Sequence, residues 1–167
     1  MAKNKFKLGI VGYGFVGQAI DYAFTNDELE KFYVDPKLET NIDDLCGWNP
    51  TCVFVCAPTP MSDNGTVDGA IVEDAVLKLI EHTDALIVIK STVTPDILTR
   101  LYNSVHDDDK PRITHNPEFL TENNAKDQFI NSRMRIIGGP TEESCQRIVT
   151  LYSTFSLCIN LSWVSMT

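Results

Sequence analysis

Phe6-Lys7-Leu8-Gly9-Ile10-Val11-Gly12-Tyr13-Gly14-Phe15-Val16-Gly17 is the stretch on which the fold turns. An apolar run, Phe6–Val11, ends in G-x-G-x-x-G at Gly12, Gly14 and Gly17, and Gly17–Phe24 goes on with helical spacing. Phe32–Asp35 is a short strand whose last residue, Asp35, is an acid 18 residues beyond Gly17. Strand, glycine turn, helix and acid-terminated strand make a dinucleotide-binding βαβ fingerprint. The first glycine makes the tight turn, the second admits a pyrophosphate to the backbone, and the third lets helix and strand pack. The N–H groups of the helix start, over Tyr13, Phe15 and Val16, face the phosphates. The Asp35 carboxylate accepts from the adenosine ribose hydroxyls and repels a 2′-phosphate, so NAD is expected over NADP. Lys37, two residues on, blurs that preference. The same turn also serves Rossmann domains that bind another ligand or none.

Outward from this unit, short apolar runs alternate with longer stretches of helical period. Thr51–Ala57, Ala85–Ile89, Arg112–His115 and Arg135–Ile137 read as further strands. Asn41–Leu45 reads as a turn of helix, and Val67–Glu81, Pro95–Val105 and Glu142–Phe155 as helices. In Val67–Glu81 the stripe is Ile71, Val72, Ala75, Val76, Leu79 and Ile80. Pro95 suits a first helical turn, and Asp96 complements its positive end. Runs that are apolar throughout are buried on both faces. Alternation with helices then gives an α/β, doubly wound, mostly parallel sheet of the Rossmann type. All six strands are expected to be parallel. The domain is expected over residues 1–155, with 156–167 as a C-terminal tail.

The 167 residues suffice for one domain with a real core. A hydrophobic share of 43% and a charged share of 22% are ordinary globular values, which excludes a disordered or fibrous chain. The net charge of −9, without a basic patch, argues against nucleic acid or an anionic membrane as partner. No apolar run approaches a membrane span, and the lysine-bearing start is not followed by a signal-peptide pattern. Five cysteines (Cys46, Cys52, Cys56, Cys145, Cys158) without a C-x-x-C fit reduced thiols in a cytoplasm. His82, His106 and His115 are not grouped with them, so no metal site is expected.

Three segments follow strand ends, where open α/β sheets bind ligands. They are Ala57-Pro58-Thr59-Pro60, Lys90-Ser91-Thr92-Val93 and Asn116-Pro117-Glu118-Phe119-Leu120-Thr121-Glu122. Glu118 and Glu122 share a face if their segment is helical, and like charges that close raise at least one pKa. Together with the sequences at 9–17, 55–60, 90–96, 116–122 and 136–139, and with Asp68, these segments resemble the NAD-binding domain of the UDP-glucose/GDP-mannose dehydrogenase family. The resemblance runs from about residue 7 to about residue 155. It implies oxidation of a nucleotide sugar's C6 alcohol to the carboxylate with two NAD, through a thiohemiacetal and thioester on a cysteine. It implies cofactor contacts for Thr59, Thr92 and Glu122, a catalytic water near Thr92, and a base role for Glu118. The backbone of Phe119 and Leu120 would line the substrate site. Taken alone, Thr59 and Thr92 also suit turn caps, Glu118 a helix-start acid, and Glu122 a solvated face.

The sequence departs from the family in two places. Only 22 residues separate Asp35 from the Pro58-Thr59-Pro60 loop, about twenty fewer than usual, so a trimmed cofactor edge is expected. The family's long central helix and its second domain, with the nucleophilic cysteine, have no counterpart up to Thr167, and no cysteine present fits that role. Two functions are therefore expected. One is the NAD-binding part of a nucleotide-sugar dehydrogenase, acting as part of a larger enzyme or with a separately encoded second half. The other is a non-catalytic NAD or nucleotide-sugar binding module that modulates a full-length partner. A β-hydroxyacid-type dehydrogenase shares the glycine turn but not the later motifs.

Overall fold

The computed structural model describes residues 5–63, 65–132, 134–158 and 162–166. Strand β1 (Phe6–Val11) pairs in parallel with β2 (Leu29–Val34) on one side and β3 (Cys52–Val55) on the other. Strands β4 (Leu86–Ile89) and β5 (Ile113–His115) continue the parallel ladder. Helices α1 (Phe15–Ala23), α2 (Ile42–Trp48), α3 (Ala70–His82) and α4 (Pro95–Ser104) make the crossovers. Beyond them come α5 (Ala125–Asn131), β6 (Met134–Gly138), α6 (Glu142–Phe155) and β7 (Ser162–Met166). The sheet order is β2-β1-β3-β4-β5-β6-β7.

Burial on both faces accounts for the apolar strands. In β3, Cys52 and Phe54 join Leu8, Ile10, Ile20, Phe24, Phe129 and Tyr152 on one side. Val53 and Val55 join Leu45, Val76, Leu79, Ile87 and Ile97 on the other. The period of two is present, but both halves of it are apolar, as a sheet covered on both faces requires. The chain leaves β2, passes over β1 and enters β3, so the switch in strand order lies between β1 and β3. Ligands of such sheets sit beyond the carboxyl ends of the strands at that point. The short link from β2 to β3 is a 3₁₀ turn (Pro36–Leu38) and α2, which an Asn41–Asp44 capping box starts. β2 is the sheet's edge.

The structure corrects several sequence expectations. β2 begins at Leu29, not Phe32. Glu30 and Lys31 hid its start, because an edge strand tolerates polar side chains. β6 is antiparallel to β5, meeting it at His115 and Gly138, so the expectation of six parallel strands fails at the sixth. A parallel return needs a crossover running the length of the sheet. The link through α5 makes no such crossover, and the chain re-enters the sheet from the end it left. α5 itself was not anticipated. Residues 162–166, read as tail, form β7 parallel to β6, and the 14-residue α6 carries the chain back between them.

Candidate cofactor and active site

Each glycine of the turn has its own geometric reason. Gly12 follows β1 with φ +90° and donates to Val34 O at 2.8 Å; a Cβ there would lie 2.5 Å from Cys56 O. A Cβ on Gly17 would lie 2.2 Å from Gly12 O, inside the contact between α1 and the turn. Gly14 is the N-cap of α1, no side chain caps that helix, and a Cβ on Gly14 would meet nothing within 4 Å. Two glycines are therefore required by the protein itself. The third leaves open the helix start, where unpaired N–H groups and a partial positive charge suit a pyrophosphate.

Asp35 lies just past β2 and faces this turn. Its Oδ2 accepts from Tyr13 N at 2.8 Å, so that N–H is taken and does not face the phosphates as expected, and its Oδ1 accepts from Lys37 N at 2.9 Å. These two backbone donors, Lys37 first, hold its carboxyl below the usual range. A cavity of about 530 Å³ is lined by Tyr13, Gly14, Phe15, Gln18, Asp35, Lys37, Leu38 and Glu122. The exposed Phe15 and Leu38 side chains give it apolar walls beside the Asp35 carboxylate. The residues fit a dinucleotide. Gly14 and the α1 start would take the pyrophosphate, and Asp35 the ribose hydroxyls.

The turn is pinned from behind by a group that no sequence motif singled out. Asp21 on α1 accepts from the Tyr13 hydroxyl at 2.6 Å, the Tyr33 hydroxyl at 2.8 Å and Lys31 Nζ at 2.6 Å. Burial works against its ionisation, but these three donors prevail and its carboxyl titrates below the usual range. The Tyr13 phenol is pushed up to about 12 by burial and by Asp21. The Tyr13 and Tyr33 rings meet at 4.6 Å.

Thr59 is half-buried in the loop after β3, and Thr92 is exposed after β4. Neither lines the 530 Å³ cavity. Ser91 ties their loops together, donating to Ala57 O at 2.7 Å. Glu118 and Glu122 do not share a helical face: Glu118 lies in the loop after β5, and the 3₁₀ turn starts only at Glu122. Glu122 turns to the cofactor cavity, whereas Glu118, Phe119 and Leu120 line a second cavity of about 350 Å³ with Gln128, Asn131 and Arg135. The expected like-charge pair is replaced by unlike charges, since Glu118 Oε1 contacts Lys90 Nζ and lies 3.8 Å from Arg135 Nη1. The signal for this lay in Lys90 and Arg135 themselves, each a cation set against a fully apolar strand run.

The thiols are quiet. Cys52 and Cys145 are buried, and burial pushes the Cys56 thiol up to about 12 and the Cys52 thiol higher still.

The profile of the UDP-glucose/GDP-mannose dehydrogenase family, NAD binding domain, matches residues 48–156, well over half of the chain. The chain belongs to this family. The match begins after the glycine turn and Asp35, where the link to β3 is short. The UDP-glucose 6-dehydrogenase of Rickettsia felis is 32% identical over 108 residues, which are 63% of this chain and 24% of that protein. The corresponding enzyme of Haloferax volcanii is 26% identical over 140 residues, 75% of this chain and 32% of that protein. Among solved structures, the GDP-mannose dehydrogenase of Pseudomonas aeruginosa superposes with a TM-score of 0.73 at 18% identity, over 96% of this chain and 46% of that one. The UDP-glucose dehydrogenase of Pyrobaculum islandicum gives 0.69 at 19% identity, over 99% and 47%. The match thus covers about a quarter to a third of the curated relatives and about half of the solved dehydrogenases, and the chain carries the family's NAD-binding domain. Among the described residues, no helix is long and apolar enough to cross a membrane.

Proposed function

We propose that this chain is the cofactor half of a nucleotide-sugar 6-dehydrogenase. It holds NAD at the glycine turn and offers Glu118 to the C6 hydroxyl of a UDP- or GDP-linked sugar. One observation carries this reading. The glycine cradle and the Glu118 cavity open at the same end of one sheet, beyond the carboxyl ends of β1 and β5. NAD supplies the hydride acceptor. The protein's own contribution is to fix the pyrophosphate on the α1 start, orient the ribose through Asp35, and hold a carboxylate for the hydroxyl proton. Thr59 and Thr92, on loops that Ser91 joins, would bound the cofactor's far end, and Glu122 its near wall. Phe119 and Leu120 would border the sugar.

Titration of the chain with NAD and NADP by calorimetry tests the cofactor part, with tighter NAD expected. NADH absorbance with a panel of UDP- and GDP-sugars, with and without a separately encoded second half, tests the rest. A second reading is a binding module that modulates a full-length partner. The high thiol pKa values of Cys52 and Cys56 favour it, because they leave those cysteines without a nucleophilic form. NAD binding with no turnover in either mixture supports it.

A further inference from the structure

Behind the loop at 116–121 lies a closed ionic cluster drawn from four separate elements. Lys90 is fully buried at the end of β4, where two hydrogen-bond acceptors and one ion-paired carboxylate oxygen surround its ammonium. These are Asn116 Oδ1 at 2.8 Å, the Tyr152 hydroxyl at 3.2 Å, and Glu118 Oε1 in direct contact. Tyr152 in turn donates to Asn116 Oδ1 at 2.8 Å, and Asn116 Nδ2 to Ile136 O at 2.8 Å, so the frame holding Lys90 is itself fixed. Arg135 lies between the rings of Phe129 and Tyr152, at 4.5 and 4.6 Å from their centroids, and its Nη2 donates to Phe129 O at 2.5 Å and to Cys158 Sγ at 3.0 Å. Its Nε is buried with no hydrogen-bond partner among the described residues. Burial and Arg135 pull the Lys90 ammonium well below its usual range.

We propose that Lys90 and Arg135 are positioning residues that hold the Glu118 carboxylate, as an ion, in the wall of the 350 Å³ cavity. The inference rests on the reading of Glu118 as the base toward a substrate hydroxyl, and it names what makes that base ready. The charge count supports a role beyond packing. Two cations face one carboxylate, and the other titratable groups around Lys90 (Tyr152, Cys56, Cys158 and His115) supply no second anion in their ordinary forms. A buried cluster serving stability alone gains little from such an excess, since apolar groups of similar shape are commonly as stable. An excess of cations does keep the one carboxylate ionised. Glu118 is only 9% exposed, yet it lines the cavity, so it is withdrawn from bulk water and still reachable from that side.

The test is carbon-13 NMR of the side-chain carboxyls in the full chain, with the Glu118 signal assigned by its loss in Glu118→Gln. In the wild type, Glu118 stays ionised where exposed glutamates protonate, about pH 4.3. In Lys90→Met its midpoint rises by at least one pH unit, and Arg135→Gln moves it in the same direction. If Lys90→Met does not fold, the Arg135→Gln shift decides alone, and Arg135→Lys should restore part of it. A wild-type Glu118 that titrates with the surface glutamates overturns the proposal, as does a midpoint unmoved in a folded variant. NAD affinity, measured on the same samples, should change less than about twofold, because neither cation lines the cofactor cavity. Absent NAD binding with the expected Glu118 titration defeats the cofactor reading and leaves this one standing. Where a reconstituted mixture turns over, the acid limb of kcat/KM should rise with the Glu118 midpoint. A merely structural role would lower the rate without moving that limb.

Discussion

Residue by residue, the glycine turn separates two kinds of constraint that one motif conflates. Gly12 and Gly17 answer to the protein's own backbone, whereas a Cβ on Gly14 would meet nothing within 4 Å, which leaves that position to the proposed ligand. Gly17→Ala places a methyl 2.2 Å from a carbonyl oxygen that cannot swing away. It should cost ~2–4 kcal/mol of stability, as overpacking against backbone does. Gly14→Ala should leave the denaturation midpoint within the ~0.5–1 kcal/mol of a lost N-cap glycine, yet weaken NAD at least tenfold in calorimetry. Equal effects of the two changes on stability would refute the division. Asp35→Ala removes a charged acceptor and should weaken NAD by ~1.5–3 kcal/mol while narrowing the gap to NADP. Part of that loss comes from the turn, since Asp35 also holds Tyr13 N. The glycines and Asp35 were legible because their spacing is fixed by local geometry. Lys90 and Arg135 were not read as partners of Glu118. Nothing in a linear chain announces that positions 90, 118 and 135 converge through three different strands.

At the scale of elements, α1 and β2 are joined by Asp21. It gathers Tyr13 from the turn and Lys31 and Tyr33 from the edge strand. Asp21→Asn should cost ~1–2 kcal/mol. Because the folded pKa lies below the unfolded one, the carboxylate's contribution is complete above about pH 3.9 and is lost as pH falls through the folded value. Urea midpoints of wild type and variant should thus differ at neutral pH and converge in acid. A gap that widens in acid would contradict the geometry. The same region shows what element reading can and cannot do. The parallel strands β1, β3 and β4 were visible as apolar runs, since burial on both faces leaves no other composition. β2 was clipped because its edge position lets Glu30 and Lys31 stay polar. The direction of β6 was invisible, because Arg135-Ile136-Ile137 reads alike in either sense. What decides it is the path of the link through α5, which packs on α1, a contact between segments far apart in the chain.

For the whole molecule, the question is whether one sheet with its loops performs a full oxidation. The chain spans about half the length of the solved dehydrogenases it superposes on. Its two candidate cavities open at the sheet's carboxyl end, and among the described residues Cys52 and Cys56 are held as neutral thiols by burial. Taking an alcohol to an acid in two hydride transfers needs water kept out between the steps, and in the route this family's resemblance implies, a thiolate to hold the intermediate. Binding a nucleotide sugar also costs several kcal/mol of lost freedom, whether or not the contacts are complete. The purified chain alone should therefore bind NAD but not sustain two NADH per sugar. Glu118 lines one of these cavities, so a trace of single hydride transfer is compatible with the site. The measurement is NADH absorbance and product carboxylate for each UDP- and GDP-sugar, alone and with the second half added. Steady two-to-one stoichiometry from the chain alone would sink this prediction and would force one of its own cysteines into the nucleophile's place. Cys158, half-buried and 3.0 Å from the Arg135 guanidinium, would then be the first to replace with serine, because that cation is the nearest thing here to a thiolate's counter-charge.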